Sequence, residues 1–263
     1  MCRWAAYIGP KVFLEDILCT PEHSLIQQSL NASECKTATN GDGFGIAWYG
    51  GRLEPGLFRD TLPAWSDANL RSIARQVRAE LFLGHVRAST GTATSRDNCH
   101  PFAVGRWSFM HNGQVGGYGQ IRRDADMMIP PELYLHRRGT SDSEAFFLAA
   151  LGDGLDTDPL GALERTAAAF ERLARRTGER PYLRLSACLS DGERLIALRH
   201  ASDTRAPTVY YRALGNGGWV VVSEPYDADL SDWTPLEAGR MLVLDGTEPQ
   251  FHSFSPAPCR PAA

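Results

Sequence analysis

Apolar residues in this chain fall in short runs punctuated by glycine, proline and polar clusters. The first run, Trp4-Ala5-Ala6-Tyr7-Ile8, is closed by Gly9-Pro10 and predicts a buried strand that begins at the chain terminus. Such a strand would hold residue 2 in a sheet rather than on a fraying end. Val12 to Leu18 reads as a short helix, and residues 21–30 show no settled period. Asn40-Gly41-Asp42-Gly43 then leads into the strand-like run Phe44 to Tyr49, ended by Gly50-Gly51. Three glycines in five residues there imply a sharp turn or the close approach of another group. Ser66 to Ala79 reads as a helix capped by Ser66 or Asp67, with Leu70, Ile73, Ala74 and Val77 on one face. Leu81 to Arg87 reads as a strand running into the polar segment 88–92.

Further along, Asn98 to Phe102 is expected to be a loop. Trp107 to Met110 is a strand that meets His111-Asn112-Gly113. Asn-Gly after a strand is a turn signal, which makes a hairpin one reading. The other reading aims the Gly113 N–H and the Asn112 amide into a site, as donors to an oxyanion. Ser141 with Glu144 has the form of a capping box opening a helix that Gly152 stops. Asp158 caps a second helix and Pro159 starts it, with Leu160, Leu163, Ala167, Phe170 and Leu173 on one side. In the last third, apolar segments flank Asp191-Gly192, Asn216-Gly217 and Asp245-Gly246, three hairpin signals. Residues 2–255 read as a single domain, with a loose proline-rich tail over 256–263.

Composition narrows the function. The chain has 263 residues, 43% hydrophobic and 22% charged, which suits a globular protein with a large core. A formal charge of −4 without basic runs argues against nucleic acid or an anionic membrane as partner. No apolar run approaches a membrane span, and the N-terminal stretch turns polar at Lys11, Glu15 and Asp16, unlike a signal peptide. Six cysteines without a CxxC pair fit reduced thiols in the cytoplasm. No spacing of Cys99, His100 and His111 fits structural zinc, and no cofactor is expected.

The candidate chemistry starts at Met1-Cys2-Arg3. Removal of Met1 would leave one residue carrying a thiol and a free α-amine, a nucleophile with its own base. Their ordinary pKa values, about 8.5 and 7.7–8.0, allow proton transfer near neutral pH. Cys2 alone reads as an ordinary buried thiol, and the nucleophile reading needs the motifs further along. Arg87, at the end of an apolar strand, either snorkels to solvent or, if buried, needs an anionic partner.

Taken in order, Cys2, NGDGFGIAWY, GHVRAST, NCHPF, FMHNG and GTSDSE resemble the class II glutamine amidotransferases, the cysteine branch of the N-terminal nucleophile hydrolases. The resemblance is strongest over residues 2–151. It is greatest to stand-alone members, those of ergothioneine synthesis and of glutathione degradation. It implies an α+β fold, a four-layer α-β-β-α sandwich of two antiparallel sheets. By the same resemblance Cys2 is the nucleophile, Asn112 and Gly113 the oxyanion donors, Arg87 the group that holds the substrate α-carboxylate, Asp142 the acceptor of its α-ammonium, and Thr90 a residue lining the glutamyl pocket. His85, His100 and His111 take structural roles. Ala88 and Gly91 stand where ammonia-channelling members have an aromatic residue and a histidine. The expected substrate is therefore a γ-glutamyl compound, such as glutathione or a related conjugate. A glutaminase subunit serving a separate synthetase is the second reading, and a non-catalytic regulatory module the third. A synthetase or peptidase partner subunit and self-association are both compatible with these readings.

Overall fold

The computed structural model describes residues 2–31, 39–89, 93–227, 229–246 and 248–256. The first half of the chain forms β1 (Arg3–Phe13), α1 (Leu14–Leu18), α2 (Leu25–Leu30), β2 (Phe44–Tyr49), β3 (Gly56–Asp60), α3 (Ala68–Gln76), β4 (Arg78–Val86), β5 (Phe102–Val104) and β6 (Trp107–Val115). Then follow α4 (Tyr118–Asp126), α5 (Pro131–Tyr134), α6 (Asp142–Gly152) and α7 (Pro159–Arg175). The remainder is β7 (Leu183–Ser190), β8 (Leu195–Ala201), β9 (Tyr210–Ala213), β10 (Trp219–Val222), β11 (Thr234–Pro235), β12 (Arg240–Leu244) and β13 (Gln250–Ser253). One antiparallel sheet has the order β11-β9-β10-β1-β4-β2-β3 and the other β13-β12-β8-β7-β6-β5.

Side-chain alternation along β1 explains how the layers stack. Trp4, Ala6 and Ile8 point one way and join Leu83, Met110, Cys188, Ala197 and Leu242 in a core between the sheets. Ala5 and Tyr7 point the other way, into a core with Leu14, Leu18, Leu25 and Leu70 from α1, α2 and α3. A third core lies on the far face of the second sheet. There Phe109, Leu185 and Leu189 meet Phe146, Leu163 and Phe170 of α6 and α7. The result is helix, sheet, sheet, helix: the four-layer α+β sandwich. Each buried Leu, Ile or Phe contributes roughly 1.5–3 kcal/mol. Among the described residues no helix is long and apolar enough to cross a membrane.

Several boundaries differ from the sequence reading. Gly9-Pro10 does not end β1. The pairing with β4 slips between Ile8 and Val12, and Pro10 is accommodated at that irregularity, where its missing N–H breaks no ladder. Val12 and Phe13 therefore belong to the strand, and the helix starts at Leu14. Asp67, not Ser66, caps α3 by accepting the Leu70 N–H at 2.6 Å. Asn112-Gly113 forms no hairpin turn. β6 runs on to Val115 because β7 pairs with it from Ser108 to Val115, Gly113 lying opposite Leu185. Ser141 caps α6, accepting the Glu144 N–H at 3.2 Å, but Glu144 does not return the bond. Its carboxylate accepts from the N–H groups of Arg138 and Gly139 and from Arg137, at 3.1, 2.8 and 2.6 Å. The three hairpins of the last third turn at Gly192, Gly217 and Gly246, with φ of 91°, 82° and 87°. Of the expected tail, residues 257–263 lie outside the described residues.

Candidate active site

β1 is a central strand, hydrogen-bonded to β10 on one side and β4 on the other. Its register sets Arg3 opposite Val86, so residue 2 falls beside the segment that follows β4. The Ala88 N–H donates to Cys2 Sγ at 3.4 Å, and the Ala88 carbonyl lies 3.6 Å from the same sulfur. Burial pushes the Cys2 thiol pKa up, while the Ala88 N–H and the charges of Arg87 and Arg3 draw it down. Burial outweighs them, so the thiol stays above its ordinary pKa and the Ala88 donor offsets that only in part.

Arg87 is buried and does not snorkel. Its guanidinium donates to the carbonyls of Asp42 and Ala93 at 3.2 and 3.3 Å and to Ser89 Oγ at 3.0 Å. The glycine-rich segment before β2 builds this cradle. Asp42 N donates to Arg87 O at 3.0 Å and Arg87 N to Gly43 O at 2.8 Å, which extends the β2–β4 ladder past both strands. Gly43 has φ +114°, and a Cβ there would sit 2.5 Å from Cys99 Sγ, so only glycine fits the turn. The Asp42 carboxylate accepts the Ser89 N–H at 2.7 Å and fixes the segment that carries Ala88. Sequence reasoning missed this role for Asp42, although the residue lies inside a motif it quoted.

The second sheet brings Asn112 and Gly113. Asn112 is buried and pairs with Ser186 of β7. Trp4, two residues after Cys2, donates its indole N–H to Ser186 O and Oγ at 3.2 and 3.1 Å. One side chain therefore ties the strand after the thiol to the pair that carries Asn112. The Val115 N–H turns away from β7 and donates to Asp142 Oδ2 at 2.8 Å. Antiparallel bonding alternates, so the Gly113 N–H, two residues earlier, faces the same side.

Asp142 is the first residue of α6, and its Oδ1 accepts the Ser143 N–H at 2.8 Å. Ser143 Oγ lies 2.8 Å from His111 Nδ1, and His111 Nε2 lies 3.0 Å from the Arg184 carbonyl. A carbonyl only accepts, so Nε2 carries the proton and Nδ1 accepts from Ser143. Both ring nitrogens of His111 are engaged in this way, which leaves no lone pair for a metal. Burial lowers all three histidine pKa values, His85 to about 3, so the rings are neutral. Asn98, missed as a site element, pins the turn before α6: its Oδ1 accepts the Thr140 N–H at 2.7 Å, and its Nδ2 donates to Ala93 O at 2.9 Å.

Cys2, Arg87, Ala88, Asn112, Gly113 and Asp142 line one cleft of about 870 Å³. Of the residues expected at the site, Thr90 lies outside the described residues. The cleft continues past this group to Tyr118, Gln120, Arg122, Glu179 and Arg184. It holds a half-buried thiol, amide and N–H donors on the strand facing it, a guanidinium and a carboxylate. Such a set can bind a zwitterionic head, attack a carbonyl and stabilise the oxyanion.

Two antiparallel sheets stacked back to back, helices outside, and a cysteine at the head of a central strand define the N-terminal nucleophile hydrolase architecture. The family profile of the class II glutamine amidotransferases matches residues 20–213. A glutamine aminotransferase class-II domain protein of Silicibacter pomeroyi is 45% identical, and its solved structure aligns with a TM-score of 0.78 over 97% of this chain and 100% of that one. A probable glutamine amidotransferase of Saccharomyces cerevisiae is 37% identical over 171 residues, 60% of this chain and 48% of the yeast protein. The chain thus spans about half the length of that relative. The glutamine phosphoribosylpyrophosphate amidotransferase of Bacillus subtilis shares the fold alone, with 15% identity and a TM-score of 0.66 over 96% of this chain and 49% of that one. The chain belongs to the class II glutamine amidotransferases.

Proposed function

We propose that this protein hydrolyses the amide bond of a γ-glutamyl compound through a thioester on Cys2 and releases glutamate. The observation that carries this reading is the convergence of Cys2, Arg87, Asn112, Gly113 and Asp142 on one cleft. Met1 is removed, so the Cys2 nitrogen is a free amine. That amine takes the thiol proton. The buried histidines are too weak as bases, His85 at about 3, to compete for it. Arg87 holds the α-carboxylate and Asp142 the α-ammonium. The sulfur attacks the γ-carbonyl carbon, and the oxyanion is held by the Asn112 amide and the Gly113 N–H. The leaving amine takes the proton from the Cys2 ammonium as its bond to carbon breaks. Water then attacks the thioester, giving glutamate and restoring the thiol.

The size of the cleft favours a leaving group bulkier than ammonia. A volume of about 870 Å³ lies towards the top of the range for drug-sized ligands, roughly 300–1,000 Å³. Glutathione or a related γ-glutamyl conjugate is the substrate this supports, in line with the stand-alone, glutathione-degrading or ergothioneine-forming type of the family. Supply of ammonia to a separate synthetase is the second reading; over 60 residues, 22% of this chain and 10% of that protein, the chain is 42% identical to the glutamine–fructose-6-phosphate aminotransferase of Geobacillus kaustophilus. The test pairs intact mass with a substrate panel of glutamine, glutathione and γ-glutamyl dipeptides. Loss of the methionine mass and glutamate release that vanishes in Cys2→Ala support hydrolysis. Release that persists in Cys2→Ala refutes the mechanism, and preference for glutamine with stimulation by a partner favours the second reading.

A further inference from the structure

The strand that follows Cys2 also carries a charge that the proposed hydrolysis does not use. Arg3 is 1% exposed, and its Nε lies 2.5 Å from Glu224 Oε2, itself buried at 6%. Arg3 Nη1 donates to the Cys2 main-chain carbonyl at 3.0 Å. The segment bearing Glu224 is fastened in turn. Ser223 N donates to Trp4 O and Trp4 N to Ser223 Oγ, both at 2.9 Å. Gln28 Nε2, from α2, reaches the carbonyls of Glu224 and Pro225 at 3.2 and 3.3 Å. A buried ion pair is a poor way to gain stability, because desolvation offsets most of the attraction. Its place against residue 2 offers a different account.

We propose that Arg3 and Glu224 are positioning residues for the nucleophile. Arg3 clamps the Cys2 carbonyl and so fixes the directions of its sulfur and its nitrogen. Glu224 aims the clamp and offsets its charge. This rests on Cys2 being the nucleophile. Once Met1 is gone, Cys2 has only one peptide bond, and a terminal residue tied on one side frays unless something holds it. A misplacement of about 1 Å at a reacting centre lowers a rate about 100-fold. Standard backbone dimensions put the Cys2 nitrogen within about 7 Å of the clamping Nη1. The positive charge there favours the thiolate and disfavours the ammonium, and thus favours transfer from sulfur to amine. The other charged or titratable groups around the sulfur are Arg87 after β4, the Cys99 thiol before β5, Asp142 at the start of α6, and the neutral His100 and His111.

The test uses the full chain, with its N-terminus checked by mass. Iodoacetamide alkylation of Cys2 is followed on the N-terminal peptide from pH 5 to 10, beside kcat and KM for glutamate release and a thermal melt. In Glu224→Gln the charge of Arg3 is no longer offset, so the alkylation midpoint falls by about half to one pH unit. Arg3→Met/Glu224→Gln replaces the pair with neutral groups and folds even where the single variant does not. Its midpoint rises, and kcat falls about 10- to 100-fold with KM nearly unchanged, because Arg87 and Asp142 are intact. Opposite shifts cannot come from general loosening. Midpoints that move together or not at all, or a double variant with normal kcat, overturn the proposal. Should the parent release no glutamate from any γ-glutamyl amide, the functional reading fails, and the alkylation midpoints alone still decide this one.

Discussion

Gly113→Ala is the sharpest perturbation the site allows. A Cβ built on Gly113 would lie 1.9 Å from the Arg184 carbonyl oxygen and 2.4 Å from His111 Nε2. Side-chain carbons do not approach closer than about 3 Å, so β6 and β7 must part there by about 1 Å, and His111 must shift as well. Overpacking of this kind destabilises by about 1–3 kcal/mol. For a chain of this size that lowers Tm by roughly 3–9 °C. The rate should suffer more. Gly113 N–H is a proposed oxyanion donor, and moving one such donor out of reach lowers kcat about 100- to 1,000-fold. The assay is kcat and KM for glutamate release on protein shown to be folded by circular dichroism, with Gly215→Ala as the control. A Cβ at Gly215 meets nothing within 4 Å. A Gly113→Ala protein with the parent's Tm and kcat would refute both the packing argument and the assigned donor.

Arg87→Lys keeps a charge but loses the fork that reaches Asp42 O, Ser89 Oγ and Ala93 O. KM should rise about 10- to 100-fold with little change in kcat, as read from initial rates. Asp142→Asn can still accept from Val115 N but no longer attracts an ammonium. Its discrimination between a γ-glutamyl amide and the N-acetylated counterpart should shrink at least tenfold, measured as the ratio of the two kcat/KM values. Stability should fall with pH below 6.5. His85 is held neutral by burial, with its pKa lowered from 6.5 to about 3. The unfolded chain therefore binds the extra proton, and folding loses about 1.4 kcal/mol from His85 alone by pH 5.5. Urea melts at pH 7.5 and 5.5 check this, and a midpoint independent of pH would contradict it.

The sequence reading reached the parts of this fold that local chemistry decides. The Asn-Gly and Asp-Gly hairpins of the last third turn where read, because a positive φ is a property of the turn residue itself. Arg87 was legible for the same kind of reason: a charge closing an apolar strand is odd on its face. What stayed hidden depends on distant pairing. Asn112-Gly113 carries a turn signal, yet eight residue pairs with β7 hold it extended. Arg3 and Glu224 are separated by 221 positions, and no local pattern joins them. The Glu144 carboxylate looked like half of a capping box, but its bonds go to Arg137, Arg138 and Gly139. Resemblance supplied the four-layer arrangement, which the order of helices and strands merely permitted.

The position of β1 between β4 and β10 has a consequence for biosynthesis. The thiol leaves the ribosome 217 positions ahead of Trp219, where one of the two strands flanking its own begins. β1 therefore lacks one flank of its sheet until Val222 has been translated. A product cut short before that strand would leave β1 on an open sheet margin, prone to wander and to pair with the wrong neighbour.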